Sequence, residues 1–220
     1  PGRILAPGFV DLHVHYPQVD VIGSPASGLL PWLENYTFPQ ESRFADPAHA
    51  AQTAEFFLGE LLRNGVTTAL TFATSHPASV DAFFTAAAAR GLRMISGKVL
   101  QDRFSPDGVR DEAEQSLIDT ETLIGRWHGK GRLGYAITPR FAPTCSDAQL
   151  RGAGPLGAVM GFESPLQAGR SVGSIVAILA ILKAGAAYAP LDPATPPDSL
   201  AWLVQDCGAR LTLAGQSDAA

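Results

Sequence analysis

Residues 8–18 read GFVDLHVHYPQ, a run of strand-forming residues that carries two histidines near its end. Its aromatic and β-branched side chains favour a β-strand, which Pro7 precedes and Pro17 follows. Because side chains alternate between the faces of a strand, His13 and His15 are predicted to point to the same side. Two imidazoles in this arrangement predict part of a zinc site, although a surface strand that happens to carry two histidines is the alternative.

The composition excludes several classes of protein. The 220 residues carry a formal net charge of −5, which gives no basic surface for nucleic acid. Cys145 and Cys207 lie far apart, so neither a disulfide framework nor a cysteine-based zinc site is indicated. The longest apolar stretch, residues 175–182, is shorter than the ~20 residues that cross a bilayer. We therefore expect a cytoplasmic protein with neither nucleic acid nor membrane as a partner.

Strand and helix patterns alternate four times in the first two thirds of the chain, which is typical of a parallel sheet with crossover helices. The predicted strands after the first are 66–73, 92–100 and 132–138, and the predicted helices are 47–64, 77–90, 112–128 and a short helix capped by Ser146. Residues 16–47 contain five prolines and are predicted to form a long irregular loop near a site. In a (β/α)8 barrel, functional groups lie at the carboxyl ends of the strands.

The first motif resembles the opening metal motif of the amidohydrolase superfamily. Three further segments narrow the resemblance to the guanine deaminase family: LPWLENYTFP at 30–39, GKV at 97–99 and YAITPRFAPT at 135–144. The resemblance covers about residues 1–154. It implies an α/β fold, a partial (β/α)8 barrel of about four βα units. It also implies zinc-dependent hydrolysis of guanine to xanthine and ammonia.

The resemblance implies roles for five residues. His13 and His15 would bind Zn²⁺, and Gln18, Arg140 and Phe141 would contact the purine. The amide of Gln18 both donates and accepts hydrogen bonds, Arg140 offers a planar fork of donors, and Phe141 offers a ring for stacking. By residue type alone, Gln18 is more commonly a turn glutamine, and Arg140 and Phe141 could equally be an ion-paired arginine and a core aromatic. No catalytic residue is assigned, because we find no segment that carries the family's later zinc ligands and its proton-shuttling carboxylate.

The remaining ligand candidates are given structural roles. His76 follows the second predicted strand and is predicted to be an exposed loop histidine. His128 lies at a helix end, where it suits the helix dipole, and His49 is predicted to be solvated near a helix start. Lys98 lies on a predicted strand, and the resembled branch of the superfamily binds one zinc without a carboxylated lysine.

A second resemblance covers about residues 162–215. The segment LKAGAAYAPLDP at 182–193 is similar to a core motif of the adenylation domains of nonribosomal peptide synthetases. The predicted elements are a buried helix at about 170–185, an extended segment at 186–193, a helix at 198–206 and a strand at 210–214. No phosphate-binding loop with its lysine is found, so we expect no ATP binding. We therefore predict two domains, an amidohydrolase-like one at 1–154 and a small α/β adenylation-domain-like fragment at 155–220.

Two interpretations of the whole chain follow. In the first it is a guanine deaminase by family, and we expect no turnover by the isolated chain because two imidazoles rarely hold zinc in a catalytic geometry. In the second it is a non-catalytic chimeric fragment, with a tail derived from an amino-acid-activating, AMP-forming enzyme. Such a fragment would arise from a frame or assembly error between residues 152 and 161, and it would self-associate through unpaired strand edges.

Overall fold

The computed structural model describes residues 7–159 and, beyond them, three short segments at 164–167, 188–191 and 213–214. The strands of the first part are β1 (Phe9–His15), β2 (Val66–Phe72), β3 (Arg93–Gly97), β4 (Val99–Leu100), β5 (Gly134–Tyr135) and β6 (Thr138–Pro139). The helices are α1 (Leu29–Trp32), α2 (Phe38–Ser42), α3 (Pro47–Arg63), α4 (Pro77–Ala89), α5 (Ala113–Trp127) and α6 (Asp147–Val159). The order of strands and helices is that of successive βα units.

Four of these strands form one parallel sheet in the order β1-β2-β3-β5, and β4 pairs in parallel with β6. The register places His15 beside Phe72 and Phe72 beside Gly97. Because the strands run in the same direction, their carboxyl ends meet at one edge of the sheet. The predicted α/β fold with a partial (β/α)8 barrel is confirmed for the residues that the structure describes.

The helix α3 begins and ends where its sequence predicts. Asp46 is the N-cap, and its Oδ1 accepts a hydrogen bond of 2.9 Å from the backbone N–H of Ala48. Pro47 occupies the first helical position, where a missing N–H costs no helical hydrogen bond. Gly65, with φ of +78°, adopts the left-handed conformation that ends a helix most easily.

An aromatic cluster joins the segment after β1 to α3 and α4. Tyr16 is fully buried, stacks on Phe83 with ring centroids 5.2 Å apart, and meets Phe44 edge-on at 5.3 Å. Its hydroxyl donates a 2.6 Å hydrogen bond to the backbone carbonyl of Ser79, which satisfies the buried polar end of the ring. The residue that follows His15 is therefore held in place by the core.

The segment 16–47 is mostly helical, so the predicted long irregular loop is wrong. Residues 16–21 form a 3₁₀ turn, and consecutive helical turns occupy residues 29–45. Pro39 lies in the first turn of α2, where the helix does not need its N–H. One π turn precedes α2, in which the N–H of Phe38 donates to the carbonyl of Leu33. Prolines thus fit within first turns instead of preventing helix formation.

The predicted strand at 92–100 is two strands, because Lys98 leaves the ladder between β3 and β4. Its backbone N–H donates to the hydroxyl of Tyr135 at 3.0 Å instead of to a neighbouring strand. The predicted strand at 132–138 is likewise reduced to β5 and β6. Between them, the carbonyl of Ala136 lies so close to Gly97 that a Cβ there would be 1.8 Å away, which requires glycine at this position.

A buried ion pair anchors the segment between β4 and α5. The Nζ of Lys98 lies 2.7 Å from Oδ1 of Asp111, and the lysine side chain is entirely inaccessible to solvent. Burial lowers the pKa of Lys98 and raises the pKa of Asp111, in each case against the attraction of the partner. The backbone N–H of Asp111 donates to the carbonyl of Gln101 at 2.8 Å, so the pair closes this loop.

Removal of the Asp111 carboxylate should strongly destabilise the fold. We expect Asp111→Ala to lower the free energy of unfolding by about 3–5 kcal/mol, because it leaves the Lys98 ammonium buried without a counter-charge. Urea denaturation of the 220-residue chain measures this change. The control is Asp107→Ala, which removes a 90% exposed carboxylate paired with Arg110 and should cost about 0–1 kcal/mol. Equal losses for the two variants would contradict the structural role of the buried pair.

The described segments beyond α6 form their own parallel sheet. Its strands are β7 (Ser164–Gln167), β8 (Tyr188–Leu191) and β9 (Leu213–Ala214), in the order β8-β7-β9. β8 and β9 lie within the predicted extended segment and strand, whereas β7 was not predicted. The predicted helices at 170–185 and 198–206 lie outside the described residues.

The first part of the chain passes into the second within α6. Residues 1–150 and 151–220 form two compact units, and α6 runs to Val159 instead of being the short helix expected after Ser146. The predicted domain boundary between residues 154 and 155 stays a prediction. None of the described helices is long and apolar enough to cross a membrane.

The outer strand β1 leaves apolar side chains in contact with solvent. Within the described residues it pairs only with β2, and Phe9, Val10 and Leu12 are exposed. An unpaired strand edge with apolar side chains is a common route to association. Self-association through this edge stays a prediction.

Candidate functional site

The two histidines of β1 lie together at the carboxyl end of the sheet. The Nε2 atoms of His13 and His15 are 3.2 Å apart, which confirms the prediction that both rings lie on one side of the strand. A tetrahedral zinc ion with Zn–N bonds of ~2.05 Å would place two ligand nitrogens about 3.3 Å apart. The geometry of the pair therefore fits two adjacent ligand positions on one zinc ion.

The environment of His15 keeps its ring neutral. The ring of Phe72, at the end of β2, stacks on it with centroids 4.4 Å apart and an angle of 13°. Burial, followed by the charge of Arg140 and the proximity of His13, lowers the pKa of His15 to about 3. Its Nδ1 is buried without a hydrogen-bond partner among the described residues. A neutral imidazole is the form that binds zinc.

The metal-free chain should therefore show a His15 ring that stays neutral well below pH 6.5. Histidine titrates near pH 6.5 in unfolded chains, whereas we expect a midpoint of about 3 for His15. Since the unfolded chain binds the extra proton first, the stability contributed by neutral His15 is present above pH 6.5 and is lost as the pH falls towards 3. Ring chemical shifts followed by NMR during a pH titration measure the midpoint. A midpoint at or above pH 6 would contradict the half-buried, stacked environment of His15.

The described residues supply no third ligand beside this pair. Among them, no group of three or more histidine, cysteine, aspartate or glutamate side chains is placed to hold a metal ion. His76 is half-buried, and its Nε2 donates to the carbonyl of Gly108 at 3.1 Å. The prediction that His76 is exposed is thus wrong, because the loop before α5 packs against it. His128 has the structural role that was predicted, since its Nδ1 accepts a hydrogen bond from the N–H of Tyr135.

Gln18 and Arg140 meet at one buried carboxylate, that of Glu41 on α2. The Nε2 of Gln18 donates to Oε1 of Glu41 at 3.0 Å. The guanidinium of Arg140 donates through Nη2 to Oε1 at 3.0 Å and through Nη1 to Oε2. Side-chain exposure is 0% for Glu41 and 10% for Arg140. Two residues that are 122 positions apart in the sequence are therefore joined at a third that the sequence did not single out.

The sequence carried only a weak signal for Glu41. It lies two residues after Pro39, inside the segment that was expected to be an irregular loop, where acidic residues are ordinarily solvated. Only the helical turns of residues 29–45 bury it. Its role depends on a contact with Arg140, which is 99 positions away, and local patterns do not predict such contacts.

The strand ends place Arg140 near the histidine pair. Its backbone N–H donates to the carbonyl of Leu100 at 3.0 Å, and its guanidinium lies over the ring of Phe38 at 5.2 Å. Its charge contributes, after burial, to the lowered pKa of His15. Phe141 is 62% exposed, which leaves its ring accessible to a ligand.

A cavity of about 120 Å³ adjoins this edge of the sheet. Phe72, which stacks on His15, and Pro139, which precedes Arg140, both line it. Thr71 also lines the cavity, and its Oγ1 is buried without a partner among the described residues. The cavity therefore borders neighbours of both the histidine pair and the arginine.

Comparison with known protein families identifies the class. The model of the amidohydrolase family matches residues 4–161, and the chain therefore belongs to the amidohydrolase family. A second model, that of AMP-binding enzymes, matches residues 165–220, in agreement with the resemblance noted for the tail. The two matches meet within a few residues of one another.

The relatives narrow the likeness to guanine deaminases. The guanine deaminase of Escherichia coli strain K12 is 53% identical over 149 residues, which are 68% of this chain and 34% of that protein. The crystal structure of the guanine deaminase from C. acetobutylicum, with guanine bound in its active site, is 33% identical with a TM-score of 0.69. The matched region covers 81% of this chain and 43% of the chain from C. acetobutylicum. The chain spans about one third of the length of the curated relatives it matches.

A more distant structure supports the fold alone. The crystal structure of atrazine chlorohydrolase TrzN from Arthrobacter aurescens TC1, complexed with zinc, is 17% identical with a TM-score of 0.66. It covers 92% of this chain and 52% of that one. At this identity the similarity shows that the two proteins share a fold.

Proposed function

We propose that the chain carries the first metal-binding and substrate-binding part of a zinc-dependent guanine deaminase, which hydrolyses guanine to xanthine and ammonia. One observation carries the proposal. The His13–His15 pair lies at the end of β1, and Arg140, which shares the carboxylate of Glu41 with Gln18, directly follows β6, so both groups lie at the carboxyl ends of parallel strands. This is the edge of a βα barrel where functional groups lie. The similarity to guanine deaminases supports the choice of substrate.

His13 and His15 would provide two of the ligands of the zinc ion. The spacing of their Nε2 atoms and the neutral form of His15 fit this role, and the stacked ring of Phe72 restricts the orientation of His15. When bound, zinc supplies Lewis-acid chemistry that activates water at neutral pH. TrzN, which has the same fold, was crystallised with zinc.

Gln18, Arg140 and Phe141 would recognise the purine. Arg140 uses two of its five N–H donors on Glu41, so three remain for acceptors such as a carbonyl oxygen or a ring nitrogen. Gln18 keeps its Oε1 as an acceptor for a ring N–H. The exposed ring of Phe141 offers a face on which a planar base can stack.

Zinc binding should depend on both histidines of β1. We expect His13→Ala and His15→Ala each to weaken zinc binding by at least about tenfold, since loss of even an indirect partner of a metal ligand costs 10–100-fold. Competition with a chromogenic chelator measures the affinity of the 220-residue chain. His49→Ala is the matched control, because His49 contacts Arg43 and Phe44 away from the pair. Unchanged affinity in both β1 variants would contradict the proposed zinc site.

Turnover should require ligands beyond the described pair. We expect the zinc-loaded chain to bind guanine without releasing ammonia, because the described residues place only two imidazoles together. Ammonia release should appear when a second polypeptide, carrying the remaining part of the E. coli relative, is added. An enzyme-coupled ammonia assay measures it, with the His15→Ala chain as the negative control. No release from the combined sample would contradict the proposed function, and release by the chain alone would contradict the need for further ligands.

The second candidate is the non-catalytic chimeric fragment. The match of residues 165–220 to AMP-binding enzymes, and the separate parallel sheet of β7, β8 and β9, favour it. In this case the tail derives from an amino-acid-activating, AMP-forming enzyme. The nucleotide sequence across the codons for residues 152–161 decides between a joined reading frame and an assembly error.

A further inference from the structure

We infer that Glu41 is a positioning residue, which orients Gln18 and Arg140 so that they present one hydrogen-bond acceptor and several donors to a purine that carries a cyclic amide. The inference rests on the proposed function and extends it. It follows from the convergence of two predicted substrate-binding side chains on one buried carboxylate.

Glu41 restricts Arg140 to a single arrangement. Nη1 and Nη2 of Arg140 each donate to one oxygen of the Glu41 carboxylate. Such a bidentate pair fixes the plane of the guanidinium as well as its distance from the carboxylate. The ring of Phe38 lies against the guanidinium at 5.2 Å. Because the pair is nearly inaccessible to solvent, water does not compete for these contacts. The remaining donors of Arg140 therefore point in directions set by Glu41.

Glu41 also decides which end of the Gln18 amide faces it. A carboxylate paired with a guanidinium only accepts hydrogen bonds, so the NH₂ group of Gln18 must face it. The Oε1 of Gln18 is then turned away from Glu41. Without the carboxylate, the amide could rotate and present a donor in place of the acceptor. Glu41 thus determines that Gln18 turns its acceptor oxygen, and not its NH₂ group, away from the carboxylate.

The resulting pattern matches the amide edge of guanine and not the corresponding edge of adenine. Guanine carries a ring N–H beside a carbonyl oxygen, which are a donor for Gln18 and an acceptor for Arg140. Adenine carries a ring acceptor beside an amino donor, which is the reverse polarity. Gln18 Nε2 and Arg140 Nη2 each lie 3.0 Å from the same Oε1 atom of Glu41, which brings the two side chains together at one place on a base.

The test uses the 220-residue chain with two substitutions at position 41 and one control. Glu41→Gln removes the charge and allows either end of the Gln18 amide to face it. Glu41→Asp keeps the charge but shortens the side chain. If Glu41→Gln fails to fold, Glu41→Asp tests whether residue 41 positions Gln18 and Arg140. Glu55→Gln is the matched control. Glu55 lies on α3 and also pairs with an arginine, Arg90, but its side chain is exposed to solvent.

The first measurement needs no ligand. NMR signals of the Gln18 side-chain amide and the Arg140 guanidinium report whether the two groups are held in place. In the wild-type chain and in Glu55→Gln we expect separate Arg140 Nη signals, owing to slow rotation, and in the Glu41 variants we expect averaged signals. Averaged signals in the wild-type chain, or unchanged signals in folded Glu41 variants, would overturn the inference.

The second measurement is calorimetric binding of guanine and adenine to the zinc-loaded chain. We expect Glu41→Gln to weaken guanine binding roughly 10–100-fold, the range expected for a hydrogen bond to a charged group, and to reduce the preference over adenine. Equal guanine affinity in wild-type and variant chains would overturn the role of Glu41 while leaving the proposed function intact. A wild-type chain that binds no guanine would overturn the proposed function, and the inferred recognition with it.

Discussion

The parallel pairing of β1 with β2 and of β2 with β3 is the constraint on which the site depends. Their register brings His15, Phe72 and Gly97 side by side at one edge. His13 follows from the alternation of β1, and Phe72 supplies the ring that packs on the imidazoles. β4 and β6 also pair in parallel and end at that edge. Arg140 begins the loop that follows β6. The positions of the histidine pair and the arginine are thus consequences of one strand arrangement.

Two buried ion pairs give the loops at this edge defined positions. Lys98–Asp111 holds the segment before α5, and Glu41–Arg140 joins α2 to the end of β6. Buried charges are costly unless they are paired and hydrogen-bonded, so each pair favours a single arrangement of the segments that carry it. Lys98 therefore has a structural role, since its ammonium is occupied by Asp111 and the carbonyl of Val99. Glu41 combines the same structural role with contacts to two predicted substrate-binding residues.

The chain joins parts that match two different families. The amidohydrolase match includes the described barrel strands, and the AMP-binding match begins four residues after it ends. Parallel strands occur in both parts, but they belong to separate sheets. All the residues proposed to bind zinc or the purine lie between His13 and Phe141, within the first part.

The sequence by itself determined the alternation of strands and helices, the limits of α3 and α4, and the shared side of His13 and His15, because these depend on local periodicity and on capping residues such as Asp46. Its family motifs also pointed to Gln18 and Arg140. Only the tertiary structure decided that residues 29–45 are helical, that Lys98 interrupts a strand and that His76 is covered by a loop. It alone showed that Glu41 connects Gln18 with Arg140. Each of these features depends on contacts between distant segments, where burial and hydrogen bonding override local preference.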